Sequence, residues 1–208
     1  MNARAEEMTD YTRILKENIE ESLKVHARLI SETLPQMVRA AEILVAAYRR
    51  GGKAIFFGNG GSAADAQHLA AEFLGRFLQE RRPLPALALH TNSSAVTAIG
   101  NDYGYEQVFA RQLEALATAN DVVVAISTSG NSPNVLEALQ VAQKGGIPTV
   151  GLTGASGGRM RALVDVLLAV PSSDTPRIQE CHILIGHALC DAVERAIVSE
   201  AKLASVDA

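Results

Sequence analysis

The chain has 208 residues, of which 48% are apolar, 4% aromatic and 20% charged, and its formal net charge is −4. That length suits one α/β domain with helical additions and is short for two independent domains. A mildly acidic chain in which the basic pair Arg81 and Arg82 reads as solvated loop does not look like a general nucleic-acid binder, and no apolar run is long enough to span a bilayer.

Residues 1–16 mix Arg, Glu and Asp and lack the apolar centre of a signal peptide. Apolar side chains then recur at helical spacing over residues 10–31: Tyr11, Ile14, Leu15, Ile19, Leu23, His26 and Ile30. Pro35 interrupts, and a second helix is predicted over 36–50, stopped by Gly51 and Gly52. Residues 1–50 therefore form a helical arm, which buries one stripe on its own domain or on a neighbouring subunit. From there strands and helices alternate. Strands are predicted at 53–57, 85–90, 122–127, 149–152 and 166–170. Helices are predicted at 62–79, 94–99, 105–117 and 133–144, and a final long helix opens at Thr175 and Pro176. Uniformly apolar strands separated by helices imply an α/β fold, a five-stranded parallel sheet covered on both faces. We read one domain: the arm, an α/β sandwich over 51–200, and a tail over 201–208. The last helix carries Cys181 and Cys190, about 13 Å apart along its axis. That is too far for a disulfide, and the pair fits a reducing, cytoplasmic setting.

Two loops stand at strand-to-helix junctions, Gly58-Asn59-Gly60-Gly61-Ser62 and Ser127-Thr128-Ser129-Gly130-Asn131-Ser132. Glycine allows close backbone approach, and a helix N-terminus offers unpaired N–H donors and partial positive charge. In parallel sheets ligands collect beyond the C-terminal strand ends, where both loops would sit. Two such loops suggest a ligand with a phosphate and an otherwise polar body. The first loop also satisfies the dinucleotide pattern G-x-G-x-x-A, but the second strand ends in His90-Thr91-Asn92 rather than an acid for ribose, which favours a sugar phosphate. In the second loop Ser132, ahead of Pro133, is explained as a helix cap; Ser127 and Ser129 are not.

His68 and Glu72 stand at i and i+4, one turn apart on one helical face, an arrangement suited to a divalent metal or to acid–base work. On the last helix Gln179 and His182 share a face, as do Glu180 and His187. Gln179 and His187 are separated by roughly 12 Å of rise and about 80° of rotation. Spacing alone does not choose between His182 and His187, either of which suits a hydrogen-bonded core histidine.

The segments Gly58 to His68 (GNGGSAADAQH), Gly100-Asn101-Asp102-Tyr103-Gly104, Ile126 to Ser132 (ISTSGNS) and Arg177-Ile178-Gln179-Glu180 together resemble the phosphoheptose isomerase family of the sugar isomerase (SIS) fold group. The resemblance runs over residues 11–198. It implies an enzyme that converts sedoheptulose 7-phosphate to D-glycero-D-manno-heptose 7-phosphate through an enediol, the first step of heptose synthesis for lipopolysaccharide. It implies one zinc per subunit on His68, Glu72, Gln179 and His187, with Glu72 and His187 as acid and base. Phosphate binding falls on Ser127, Thr128, Ser129 and Ser132. Sugar contacts fall on Asn59, Gly60, Gly61, Ser62, Glu72, Asn101, Asp102 and Gln179. It further implies a homotetramer with active sites between subunits. Some members carry an aspartate three residues before the glutamine; here Pro176 stands there, and the nearest acid is Asp174.

Two other readings belong to different classes. A non-catalytic SIS protein that associates with a replication initiator resembles the chain through the first loop, but its group lacks the acid at Glu72 and the histidine at His187. A sugar-phosphate sensor would bind the same ligand without turnover.

Overall fold

Side chains on each strand alternate between two helical layers, and this alternation builds the whole molecule. The computed structural model describes residues 10–206; residues 1–9, part of the predicted arm, and 207–208, part of the predicted tail, lie outside them. In chain order the elements are α1 (Tyr11–Glu32), α2 (Leu34–Arg49), β1 (Ala54–Gly58), α3 (Gly61–Leu74), β2 (Ala86–Ala88), α4 (Ser93–Tyr103), α5 (Ala110–Leu116), β3 (Val122–Ile126), α6 (Pro133–Lys144), β4 (Thr149–Thr153), β5 (Val166–Ala169) and α7 (Thr175–Val206). The five strands pair in the order β2-β1-β3-β4-β5, and every pair is parallel. This is the flanked parallel sheet that the apolar strand runs predict.

Phe56, Val124, Ile126, Val150 and Leu152 face the layer of α1, α2, α3 and α7, where they meet Leu44, Leu69, Phe73 and Ile185. Ile55, Phe57, Val123 and Ala125 face the opposite layer and meet Phe109, Leu113, Leu136 and Leu139. Stacked rings knit each side: Phe56 and Phe73 at 5.9 Å, Phe57 and Phe109 at 5.3 Å. Each such buried side chain contributes about 1.5–3 kcal/mol of burial. Both cysteines are free and buried in the first layer.

Several boundaries differ from expectation. The helix predicted over 62–79 ends at Leu74, because the N–H groups of Phe77, Leu78 and Gln79 turn instead to the carboxylate of Glu194 on α7, at 2.7–2.8 Å. Arg81 is not solvated loop. Its side chain is only 3% exposed and lies 3.0 Å from Glu194. It also donates to the carbonyls of Glu72, Phe73 and Gly75, closing the C-terminal end of α3 as a cation suits a helix end. The helix predicted over 105–117 splits into a 3-10 turn, Tyr105–Gln107, and α5, while α4 runs on to Tyr103 before Gly104 (φ 90°) stops it. The last helix continues to Val206, past position 200 where the sequence suggests that a tail begins.

On its own domain α1 does not bury the stripe that helical spacing marks, while α2 buries Leu44 and Tyr48. Val25 and Leu29 are buried, whereas Tyr11, Leu15, Ile19, Leu23 and Ile30 remain 62–72% exposed. Arg177 ties α1 to the start of α7 by donating to the backbone and side-chain oxygens of Asn18 at 3.0 and 3.1 Å.

Candidate active site

β1 and β3 lie side by side, Gly58 in register with Ile126. The chain leaving β1 enters α3 on one face of the sheet, and the chain leaving β3 enters α6 on the other. Divergence of this kind opens a crevice at the carboxyl ends of the strands, and both glycine/serine loops border it.

Gly60 adopts φ 55°, a conformation that favours glycine, and leads into α3 at Gly61. Ser62 is buried at the first turn. The side chains of Asn59 and Asn134 exchange two hydrogen bonds, each 2.8 Å, and the Tyr105 hydroxyl adds a 3.4 Å bond to Asn59 Oδ1. In the second loop the hydroxyls of Ser127 and Ser132 lie 3.0 Å apart, with Ser127 buried. Ser132 precedes α6 but makes no side-chain cap bond, so the capping role that the sequence suggests is not what occupies its hydroxyl. Ser129 Oγ accepts from the Asn131 N–H at 3.2 Å, and Thr128 is half-buried beside it. Gly130 (φ 65°) packs so closely on the Gly157 carbonyl that a Cβ would collide with it. Its own carbonyl accepts from Met160 N at 3.0 Å. The loop is thus fixed from the β4 side and borders the crevice with hydroxyls and the N-terminus of α6 rather than with charged groups.

A second cluster lies where α3 and α7 meet. His68 Nε2 is 2.8 Å from His187 Nε2 and 3.4 Å from Glu72 Oε1, and the three ligand atoms lie within 4.8 Å of one another. The rings of His68 and His187 meet edge to face, and Phe77 tilts over His187 at 5.5 Å. Two imidazoles and a carboxylate are a donor set that zinc takes, and bond lengths near 2.0–2.2 Å place tetrahedral ligand atoms about 3.3 Å apart, close to the spacing found. The residues therefore fit such an ion. Half-buried Asp65, one turn before His68, has its carboxyl pKa raised by burial against the pull of His68.

The remaining predicted residues fall as follows. Gln179 packs its amide directly on Gly61 at the start of α3; a Cβ at position 61 would strike it. His182 is fully buried and its Nε2–H donates to the Thr153 carbonyl at 3.3 Å, which makes it a core histidine of the α7–β4 packing; burial lowers its pKa to about 4. Asn101 and Asp102 are exposed at the end of α4 and bond to each other at 2.8 Å. Among the described residues neither hydrogen-bonds to the two loops, and this segment reaches the first loop through Tyr105 instead. The sequence reading overlooks Asn134, Tyr105 and Glu194, and takes Arg81 for solvated loop. Only Asn134 carried a local signal, a polar residue just after Ser132 and Pro133 in the first turn of a helix that opens on the crevice.

The SIS domain family matches residues 17–154. A protein of Roseiflexus sp. named phosphoheptose isomerase is 54% identical over 91% of this chain and 96% of its own length. One of the same name from Pelobacter propionicus is 61% identical over 78% of this chain and 86% of its own. Among solved structures, a phosphoheptose isomerase from Neisseria gonorrhoeae superposes with a TM-score of 0.84 at 44% identity, covering 88% of this chain and 98% of that one. Another, from Francisella tularensis, gives 0.86 at 38% identity over 90% and 100%.

Proposed function

The chain belongs to the phosphoheptose isomerases of the SIS-domain family, and from that premise we propose how its own residues carry the reaction. It is an aldose–ketose isomerase that converts sedoheptulose 7-phosphate to D-glycero-D-manno-heptose 7-phosphate. Such a reaction moves a proton between adjacent carbons through an enediol, and needs a base, an acid and positive charge beside the developing oxyanion.

The observation that carries the assignment is the convergence of His68, Glu72 and His187 at one end of the crevice region, with α3 running from the first loop to that cluster. Glu72 and His187 are the acid–base pair that takes the proton from the carbon beside the carbonyl and serves the sugar oxygens. His68, Glu72 and His187, with Gln179 completing the set, would hold one zinc per subunit, which as a Lewis acid supplies positive charge next to the oxyanion. Ser127, Thr128, Ser129 and Ser132 hold the phosphate with hydroxyls, backbone N–H groups and the α6 dipole. Asn59, Gly60, Gly61, Ser62, Asn101, Asp102 and Gln179 line the sugar.

The exposed apolar side of α1 supports a homotetramer with active sites between subunits, since Tyr11, Leu15, Ile19, Leu23 and Ile30 together make a stripe that water does not favour. We place the protein in the cytoplasm, supplying heptose for lipopolysaccharide, with no nucleic-acid or membrane partner; no helix among the described residues is long and apolar enough to cross a membrane. The chain is read as one domain, arm and sandwich together.

Purified protein given sedoheptulose 7-phosphate should form the aldose product, lose activity on chelation and regain it with zinc. Absence of turnover with any divalent metal would overturn this reading in favour of the sensor or the initiator-binding protein.

A further inference from the structure

We propose that Asn134 is a positioning residue for substrate binding, clasping Asn59 across the crevice so that the sugar-side loop and the phosphate-side loop keep a fixed separation. The inference rests on the reading of Ser127 to Ser132 as the phosphate cradle.

Three observations carry it. Asn134 is 2% exposed, yet its side chain does not bond to its own helix; both of its hydrogen bonds go to a residue 75 positions earlier in the chain. The exchange is reciprocal, each amide donating to the other's carbonyl oxygen at 2.8 Å, so neither can rotate without breaking both bonds. Finally, among the described residues no other hydrogen bond beyond the strand ladder joins the two loops. The first loop's backbone bonds stay within it, Ser62 N to Asn59 O and Ala63 N and Ala64 N to Gly60 O. Those of the second run within it or to the β4 side: Ser127 N to Leu152 O, Gly154 N to Thr128 O, Met160 N to Gly130 O. Beyond the strand ladder, the Asn59–Asn134 pair is the one hydrogen-bonded link between them among the described residues.

The sheet explains why such a link is needed. α3 and α6 start on opposite faces, so their N-termini diverge, and a ligand held by both requires their spacing to be set in advance. A buried two-way amide pair does this with fixed geometry, because an unpaired amide at that depth is costly. The Tyr105 hydroxyl on Asn59 Oδ1 extends the link to the segment after α4.

The test measures KM for sedoheptulose 7-phosphate and Ki for inorganic phosphate as a competitive inhibitor, on the zinc-loaded enzyme. Asn134→Ala should raise both in parallel by about tenfold, the size expected from losing one or two buried hydrogen bonds, with a much smaller change in kcat and no change in zinc affinity. Asn134→Ser serves if the alanine variant does not fold. The double variant Asn59→Ala, Asn134→Ala should bind phosphate no more weakly than Asn134→Ala alone, since both changes remove one clasp. A fall in melting temperature with KM and Ki unchanged would overturn the proposal, as would additive effects of the two substitutions on Ki. Ser127→Ala and Ser132→Ala separate it from the reading beneath it. If they raise the phosphate Ki and Asn134→Ala does not, the clasp alone is refuted; if they leave Ki unchanged, the cradle falls and the clasp with it.

Discussion

Arg81 and Glu194 pair at 3.0 Å with both side chains almost wholly withdrawn from solvent, 3% and 1% exposed. The pair closes a circuit. Glu194 gathers the N–H groups of Phe77, Leu78 and Gln79, while Arg81 covers the last carbonyls of α3, that of Glu72 included. The helix end that presents Glu72 is therefore fastened to α7, which presents His187.

Removing one member of a buried pair strands the other, at a cost of roughly 3–5 kcal/mol. Glu194→Gln should lower the melting temperature at neutral pH by about 10 °C. Burial pushes the Glu194 carboxyl up, but the three N–H donors and Arg81 outweigh it and hold its pKa below the ordinary 4.5. A depressed carboxylate contributes stability that is complete above the unfolded-state pKa and is lost as pH falls through the folded-state value. The gap between the variant and the parent should therefore narrow in acid; thermal melts across that range check it, and a constant gap would refute the assignment.

Glu72→Gln keeps the shape of the side chain and removes its charge. Turnover should fall by about a hundred- to ten-thousand-fold, the range that general acid–base groups supply, with circular dichroism and oligomeric state unchanged. Near-normal activity in the variant would refute the role.

The two histidines of α7 should behave oppositely. His187→Ala should abolish activity with little loss of stability, and His182→Ala should cost stability while retaining more activity. His182 has its pKa lowered by burial from 6.5 to about 4. Its contribution to stability is thus complete above about 6.5 and declines as pH falls from there to about 4, where the unfolded chain binds the proton that the folded one refuses. His182→Leu should flatten that part of the stability profile; an unchanged slope would show that His182 is not the group responsible.

Much of this was readable from residues alone, and the exceptions share a cause. β1 and β3 are apolar without interruption because both of their faces are covered, which is a local pattern. The His68–Glu72 pair is likewise local, set by one helical turn. The end of α3 is not, because Gly75 only permits the break and Glu194, more than a hundred residues away, enforces it by taking the N–H groups that a longer helix would use. Helical spacing could not separate His182 from His187, since the rotation of α7 on the sheet decides which one enters the core beside Thr153. The arm shows the same limit. Its apolar stripe was visible, but Val25 and Leu29 were the residues the domain took in.

Position 61 lies at a contact made by amide against bare backbone, with Gln179 filling the room that a methyl group would need. Its neighbour there is the movable tip of a side chain and not a rigid wall, so a bulkier residue would push the glutamine aside rather than unseat the helix. Across a survey of every amino acid at this codon, yield of folded protein and yield of product should part company, one nearly flat and the other steep. A variant at this site would be silent to any assay that measures only abundance.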